Sequence, residues 1–172
     1  KVRVIANLPY YITTPIIFKL LEYKESIASI TVMVQKEVAD RIASKPGSKE
    51  FGVLTINTNY QADVEKRFVE PNTSFVPAPN VTSAVIKITP NKEKEQALGI
   101  KDGKIFEELV KKAFSERRKK MANSLANCGL CGLTKGEIEE IIKKVGLKET
   151  VRAEEVAVET FAEIANEIYE LK

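Results

Sequence analysis

Near the start of the chain, Asn7-Leu8-Pro9-Tyr10 combines groups that can grip and orient an amine. The Asn7 side-chain carbonyl is a hydrogen-bond acceptor. The Leu8 carbonyl is a second acceptor, held in place by the proline that follows it. Tyr10 adds a flat aromatic face. An exocyclic amine such as adenine N6 is a poor nucleophile, because its lone pair is delocalised into the ring. Two acceptors taking its two N–H bonds favour a more tetrahedral nitrogen and aim the lone pair at an electrophile. Stacking on tyrosine holds the ring plane and is worth about 1–3 kcal/mol per base in nucleic-acid sites. Such chemistry needs positioning more than a strong base. On the residues alone, the same four also suit a strand-end turn with a packed tyrosine.

Composition narrows the remaining chemistry. The 172 residues include no histidine, which removes Ser-His-Asp and Cys-His catalysis, His-ligated metal and histidine pH switching from this chain. Cys128 and Cys131 form a C-x-x-C pair. With no histidine and no other cysteine, a four-ligand zinc site cannot close within the chain, so both are expected to be structural and reduced. Apolar residues make up 44% and charged residues 30%, with a net charge of +3, which suits a globular domain with a buried core. No apolar run approaches the roughly 20 residues of a membrane-spanning helix. The expectation is a cytoplasmic protein acting as a monomer.

The elements that must position the tetrapeptide follow from pattern. Val2 to Ala6 reads as a buried parallel strand, and the ends of such strands are where open α/β sheets carry ligands. Thr13 or Thr14 is expected to cap a helix with Pro15 at its first position, its apolar stripe being Ile16, Ile17, Leu20 and Leu21. Ile27 to Val34 is a second strand and Lys36 to Ala43 a helix ended by Pro46-Gly47-Ser48. Phe51 to Tyr60 fits strand by propensity and helix by spacing. Ala62 to Val69 and Val81 to Ile88 alternate as strands, separated by a proline-rich segment from Pro71 to Pro79 that is too rigid for a helix. Asn91 to Gly103 is polar and reads as a linker, and everything beyond it is helical in pattern. Ile105 to Ala126 is amphipathic, Gly129 and Gly132 follow it, and Thr134 with Glu137 makes a capping box for a helix closed by Gly146. A last helix places Phe161, Ile164, Ile168 and Leu171 on one side. The fold class is α/β, with residues 1–92 forming one unit and residues 93–172 a small all-α unit.

Charge is unevenly spread. Lys111 to Lys120 carries six basic side chains against one acid, a local charge of +5, whereas Glu149 to Lys172 carries seven acids against two bases. This gives the helical unit a positive end suited to phosphate contacts, although a solvated helix face has the same pattern.

Taken together, these segments resemble a known family, the KsgA-type rRNA adenine N6,N6-dimethyltransferases. Asn7-Leu8-Pro9-Tyr10 resembles its adenine-methylating signature. Met33 to Arg41 resembles the segment after its next strand, and Ser74 to Val85 its Phe-x-Pro-x-Pro-x-Val-x-Ser loop. Ala113 to Lys120 with Asn123-Ser124-Leu125 resembles its basic helix, and Arg152-Ala153-Glu154-Glu155 the motif before its last helix. The Erm-type large-subunit rRNA methyltransferases share the first signature but resemble the C-terminal region less.

The resemblance implies the C-terminal part of a Rossmann-like class I methyltransferase domain followed by a helical rRNA-binding domain. It implies S-adenosylmethionine as cofactor and two adjacent adenines near the 3′ end of small-subunit rRNA as substrate. Asn7 and the Leu8 carbonyl, with Pro9 orienting it, would grip the target N6; Tyr10 would stack on the adenine and Phe75 would close its other face. Asn7 would also lie beside the cofactor, and Arg117, Arg118, Lys119, Lys120 and Asn123 would contact rRNA. The family's glycine-rich cofactor loop has no counterpart before Asn7, so the chain is expected to correspond to the family with about its first hundred residues removed and to be inactive alone. Tyr11 replaces a more usual Asn, and Ala157 a more usual Ser or Thr cap. A non-catalytic rRNA-binding assembly factor is the competing reading.

Overall fold

The computed structural model describes residues 1–172. Strands β1 (Val2–Asn7), β2 (Ile27–Gln35), β3 (Ala62–Glu70) and β4 (Ser83–Pro90) form one sheet in the order β1-β2-β4-β3. β1 and β2 run parallel, while β2/β4 and β3/β4 are antiparallel. Parallel neighbours need a crossover, supplied here by α1 (Thr13–Glu22). On β2 and β4, every second residue (Ile30, Val32 and Val34; Ala84, Ile86 and Ile88) is buried against Ile17 and Leu21 of α1, Ala39 and Ile42 of α2 (Lys36–Ile42) and Leu54. The expectation of a buried first strand is not met: β1 has a partner on one side only, none of its residues is buried, and its Ile5 is 82% exposed.

The ambiguous segment is a helix, α3 (Val53–Asn59). Its β-branched residues are kept helical by burial on two sides: Leu54 enters the sheet's core, and Ile56 enters a second core. A helix can serve two partners at once in this way, and tertiary packing outweighs a propensity of a few tenths of a kcal/mol. The Thr55 hydroxyl donates to the Arg41 carbonyl (2.7 Å) and accepts the Gly52 N–H (3.1 Å), fixing the first turn.

The second core joins Phe51 and Ile56 to α5 (Gly103–Ala113), α6 (Met121–Asn127), α7 (Lys135–Lys144) and α8 (Val158–Glu170). Phe106, Leu109, Val110 and Ala113 form the buried face of α5 and meet Phe161, Ile164 and Ile168 of α8. Thr134 and Glu137 form the expected capping box of α7, and Gly146 follows with φ of 80°. No helix is long and apolar enough to cross a membrane.

Several expectations need correction. Ile105 to Ala126 is two helices with a turn between them, not one, so Arg117 to Lys120 lie on a turn while Lys111 and Lys112 stay in α5. Phe114 ends α5 with its ring between Phe51 and Phe161 (centroids 6.3 and 6.1 Å), and the Met121 N–H donates to the Val151 carbonyl (2.8 Å). Neither Thr13 nor Thr14 caps α1: Thr13 is inside it, its hydroxyl turned back to the Pro9 carbonyl (3.0 Å), and Pro15 is the third helical residue. Proline is tolerated there because first-turn N–H groups have no intrahelical partner. The linker contains a short helix, α4 (Lys92–Ala97), because the Asn91 side chain caps it through the Lys94 N–H (3.1 Å). Leu171 lies past the end of α8 and is 59% exposed.

Replacing Ile86, fully buried at the centre of the sheet, with Ala is expected to cost about 2–5 kcal/mol in urea unfolding, whereas Thr134→Ala, which loses one cap, costs about 1 kcal/mol.

Candidate active site

The carboxyl end of β2 organises the site. Asn7 is registered against Met33 across the parallel pair, and the Leu8 N–H donates to the Met33 carbonyl (3.2 Å). Two residues further on, Gln35 is registered against Ser83 at the start of β4, and the Lys36 N–H donates to the Thr82 carbonyl (2.9 Å). The turn after β1 and the proline-rich loop before β4 are therefore brought to the same end of the sheet by one strand.

There, Asn7, Leu8, Pro9, Tyr10 and Phe75 line one pocket of about 460 Å³, with Val76, Pro77 and Pro79 completing its wall. All five residues expected in the catalytic role are thus together. Leu8 is buried, which fixes its peptide, while Asn7 is exposed and lines the pocket. The Pro9 carbonyl accepts from the Thr13 hydroxyl and from the Ile12 N–H (3.2 Å), tightening the turn into a single 3-10 turn over Tyr10–Ile12. Phe75 is half-buried, so its ring is available at the pocket rather than lost in the core.

Sequence reasoning missed three anchors. Tyr10 Oη and Ser83 Oγ are 2.9 Å apart, and Ser83 is fully buried. Asn72 Nδ2 donates to the Pro79 carbonyl (3.1 Å), closing the proline-rich loop on itself. The third anchor is Thr13, bonded to Pro9. The signal for Ser83 was present, a hydroxyl opening a strand ahead of the apolar run Ala84 to Ile86, but its partner lies 73 residues away. A larger groove of about 680 Å³, lined by residues including Gln35, Lys36, Asp40, Lys45 and Thr82, has no aromatic side chain to stack on a base. Its Asp40 pairs with Lys36 and Lys66, which hold its carboxyl below the usual range.

The basic turn is not uniform. Arg117 donates from Nη1 to the Lys49 carbonyl (3.1 Å) and from Nη2 to the Phe51 carbonyl (2.5 Å), with its guanidinium 5.7 Å from the Phe114 ring centre. A Cβ at Gly52 would stand 2.7 Å from Arg117 Nη2, so a larger residue there would displace the guanidinium. Lys119 pairs with Glu116 (2.5 Å), whose other oxygen accepts from Asn127 (2.8 Å); together they hold the Glu116 carboxyl below its ordinary range. Arg118 and Lys120 are exposed and enter no ion pair, and Asn123 is half-buried in the first turn of α6. The two cysteines are free: Cys128 Sγ lies 3.0 Å from the Ser115 hydroxyl and Cys131 Sγ 3.9 Å from Glu108.

The parallel βαβ unit and the helices packed on the sheet give a Rossmann-like fold, and comparison with solved structures agrees. A dimethyladenosine transferase from Plasmodium falciparum superposes with a TM-score of 0.81 at 22% identity, covering 98% of this chain and 66% of that one. The 23S rRNA methyltransferase ErmE superposes with a TM-score of 0.65 at 20% identity, covering 97% of this chain and 65% of that one. In sequence, the family described as Ribosomal RNA adenine dimethylase matches residues 1–170, and the chain belongs to that family. Proteins named Ribosomal RNA small subunit methyltransferase A from Bacillus mycoides and Bacillus cereus are 44% identical over 167 residues, covering 96% of this chain and 56% of theirs. The chain thus spans about half the length of these curated relatives.

Because Arg117 ties the basic turn to the carbonyls of Lys49 and Phe51, Arg117→Ala is expected to lower unfolding stability by about 1–2 kcal/mol. Arg118→Ala, measured in the same denaturant series, is expected to stay within about 0.5 kcal/mol of the parent.

Proposed function

We propose that the whole protein transfers methyl groups from S-adenosylmethionine to N6 of two adjacent adenines near the 3′ end of small-subunit rRNA. The observation that carries this reading is the convergence of Asn7, Leu8, Pro9, Tyr10 and Phe75 on one pocket. Residues 1–92 form the C-terminal part of the catalytic unit and residues 93–172 the rRNA-binding unit. Family membership and the 44% identity to proteins named small subunit methyltransferases support the choice of substrate.

The target adenine leaves its stack, as bases acted on chemically must, and enters between aromatic walls. Tyr10 holds one face and Phe75 the other. The Asn7 carboxamide oxygen and the Leu8 carbonyl each accept one N6 N–H, turning the nitrogen lone pair out of the ring plane. The residues fit the cofactor on this side: the exposed Asn7 carboxamide stands at the carboxyl end of a parallel strand, and Asn7 would contact the bound molecule. When bound, S-adenosylmethionine supplies a methyl group on a positively charged sulfur. The protein's own contribution is orientation, which accounts for a site with no strong base. A second methylation requires only that the pocket admit N6-methyladenine.

The rRNA surface is the basic turn, with Arg118, Lys119 and Lys120 toward phosphates and Asn123 beside them. Arg117, already committed to two carbonyls, acts there by holding the turn in place.

In the whole protein, Asn7→Ala is expected to lower the methylation rate at least about 100-fold, within the range for losing a positioned polar group, while rRNA affinity measured by filter binding is unchanged. Retained methylation would remove Asn7 from its role. Replacing Arg118 and Lys120 together with Ala is expected to reduce the slope of log affinity against log salt by about 1 per side chain; an unchanged slope would place the rRNA surface elsewhere.

A further inference from the structure

Tyr10 and Phe75 reach the pocket from segments far apart in the chain, and a side-chain hydrogen bond ties Tyr10 to the strand into which the Phe75 loop runs. Tyr10 Oη lies 2.9 Å from Ser83 Oγ. Ser83 is fully buried and doubly held by strand pairing, with Gln35 on one side and Glu70 on the other. It is also the first residue of β4, where the loop bearing Phe75 rejoins the sheet. That loop is closed by the Asn72–Pro79 contact and docked by the Lys36–Thr82 contact. The phenol of Tyr10 is therefore anchored to the strand end at which the loop bearing Phe75 rejoins the sheet.

Resting on the functional reading above, we infer that Ser83 is a positioning residue that sets the plane of the Tyr10 ring and the width of the slot between Tyr10 and Phe75. A planar base fills a slot only when both rings lie parallel to it at stacking distance. A tyrosine ring free to swing about its χ angles spends part of its time out of that plane. A hydroxyl on a buried strand end is a fixed point, so one hydrogen bond converts a mobile ring into a wall. The geometry also explains why a tyrosine suits this position better than a phenylalanine: the ring stacks, while the hydroxyl serves the protein rather than the substrate. Ser83 touches no reacting atom in this account and acts only through Tyr10.

The test compares Tyr10→Phe, Ser83→Ala and the double variant in the whole protein. Tyr10→Phe removes only a hydroxyl, so it keeps the test interpretable if Ser83→Ala folds poorly. Each single variant is expected to lower kcat about five- to tenfold, the equivalent of one lost hydrogen bond, with rRNA affinity unchanged because phosphate contacts dominate it. The double variant is expected to lose no more than either single one, since both remove the same bond. A second readout uses an RNA carrying 2-aminopurine at the target position, whose emission is quenched by stacking; both single variants should recover part of that emission. Wild-type kcat and quenching in Tyr10→Phe would overturn the inference while leaving the functional reading intact, as would losses that multiply in the double variant. Absence of methyl transfer by the wild-type protein, with the quench and its loss in the variants preserved, would overturn the functional reading and leave the positioning role of Ser83 standing.

Discussion

The pairing of β2 with two neighbours of opposite direction is the constraint on which the rest depends. Its parallel register to β1 delivers Asn7 and Leu8 beside Met33, and its antiparallel register to β4 delivers Thr82 and Ser83 beside Gln35 and Lys36. A parallel strand ends where its partner ends, whereas an antiparallel strand begins there. One strand end therefore gathers the exit of β1 and the entry of β4, and with them both walls of the pocket. Slipping either register by one residue would turn the buried face of β2 to the opposite side. The alternation of Ile30, Val32 and Val34 is thus a condition of the site as well as of the core.

Much of this was legible in the sequence because it depended on local rules. β-branched runs marked β1 and β2, alternation marked β3 and β4, the capping box marked α7, Asn7-Leu8-Pro9-Tyr10 was named from its chemistry and Phe75 from family resemblance. What escaped depended on distant partners. The helical state of Val53–Asn59 is decided by two cores built from residues on either side of it in the chain. The break between α5 and α6 is decided by Phe114 filling a gap between Phe51 and Phe161, and by Arg117 reaching the carbonyls of Lys49 and Phe51. Periodicity across Ile105 to Ala126 continues through that break, because both helices face the same core. Ser83 was visible as part of a motif, but its bond to Tyr10 spans the sheet.

Two kinds of electrostatics separate the parts of the molecule. In the proposed mechanism the pocket works through neutral dipoles, two carbonyl oxygens offered to an amine, whose effect would come from fixed placement. On the basic turn the proposed contacts are made by charges, whose effect on nucleic acid would come through salt-dependent phosphate contact without base readout. Arg117 belongs to the turn by sequence and to the scaffold by function. The structure thus divides a run of four cations into one that holds the turn, one paired with Glu116, and two that face solvent.

The central claim is that this pocket presents adenine N6 for methylation. The most direct measurement incubates the whole protein with unmethylated small-subunit rRNA and S-adenosylmethionine, then digests the RNA and identifies the modified nucleosides and their positions by mass spectrometry. The account predicts N6,N6-dimethyladenosine at two adjacent positions near the 3′ end, with N6-methyladenosine as a transient species. Methyl groups on a ring nitrogen, on ribose or on another base would contradict it.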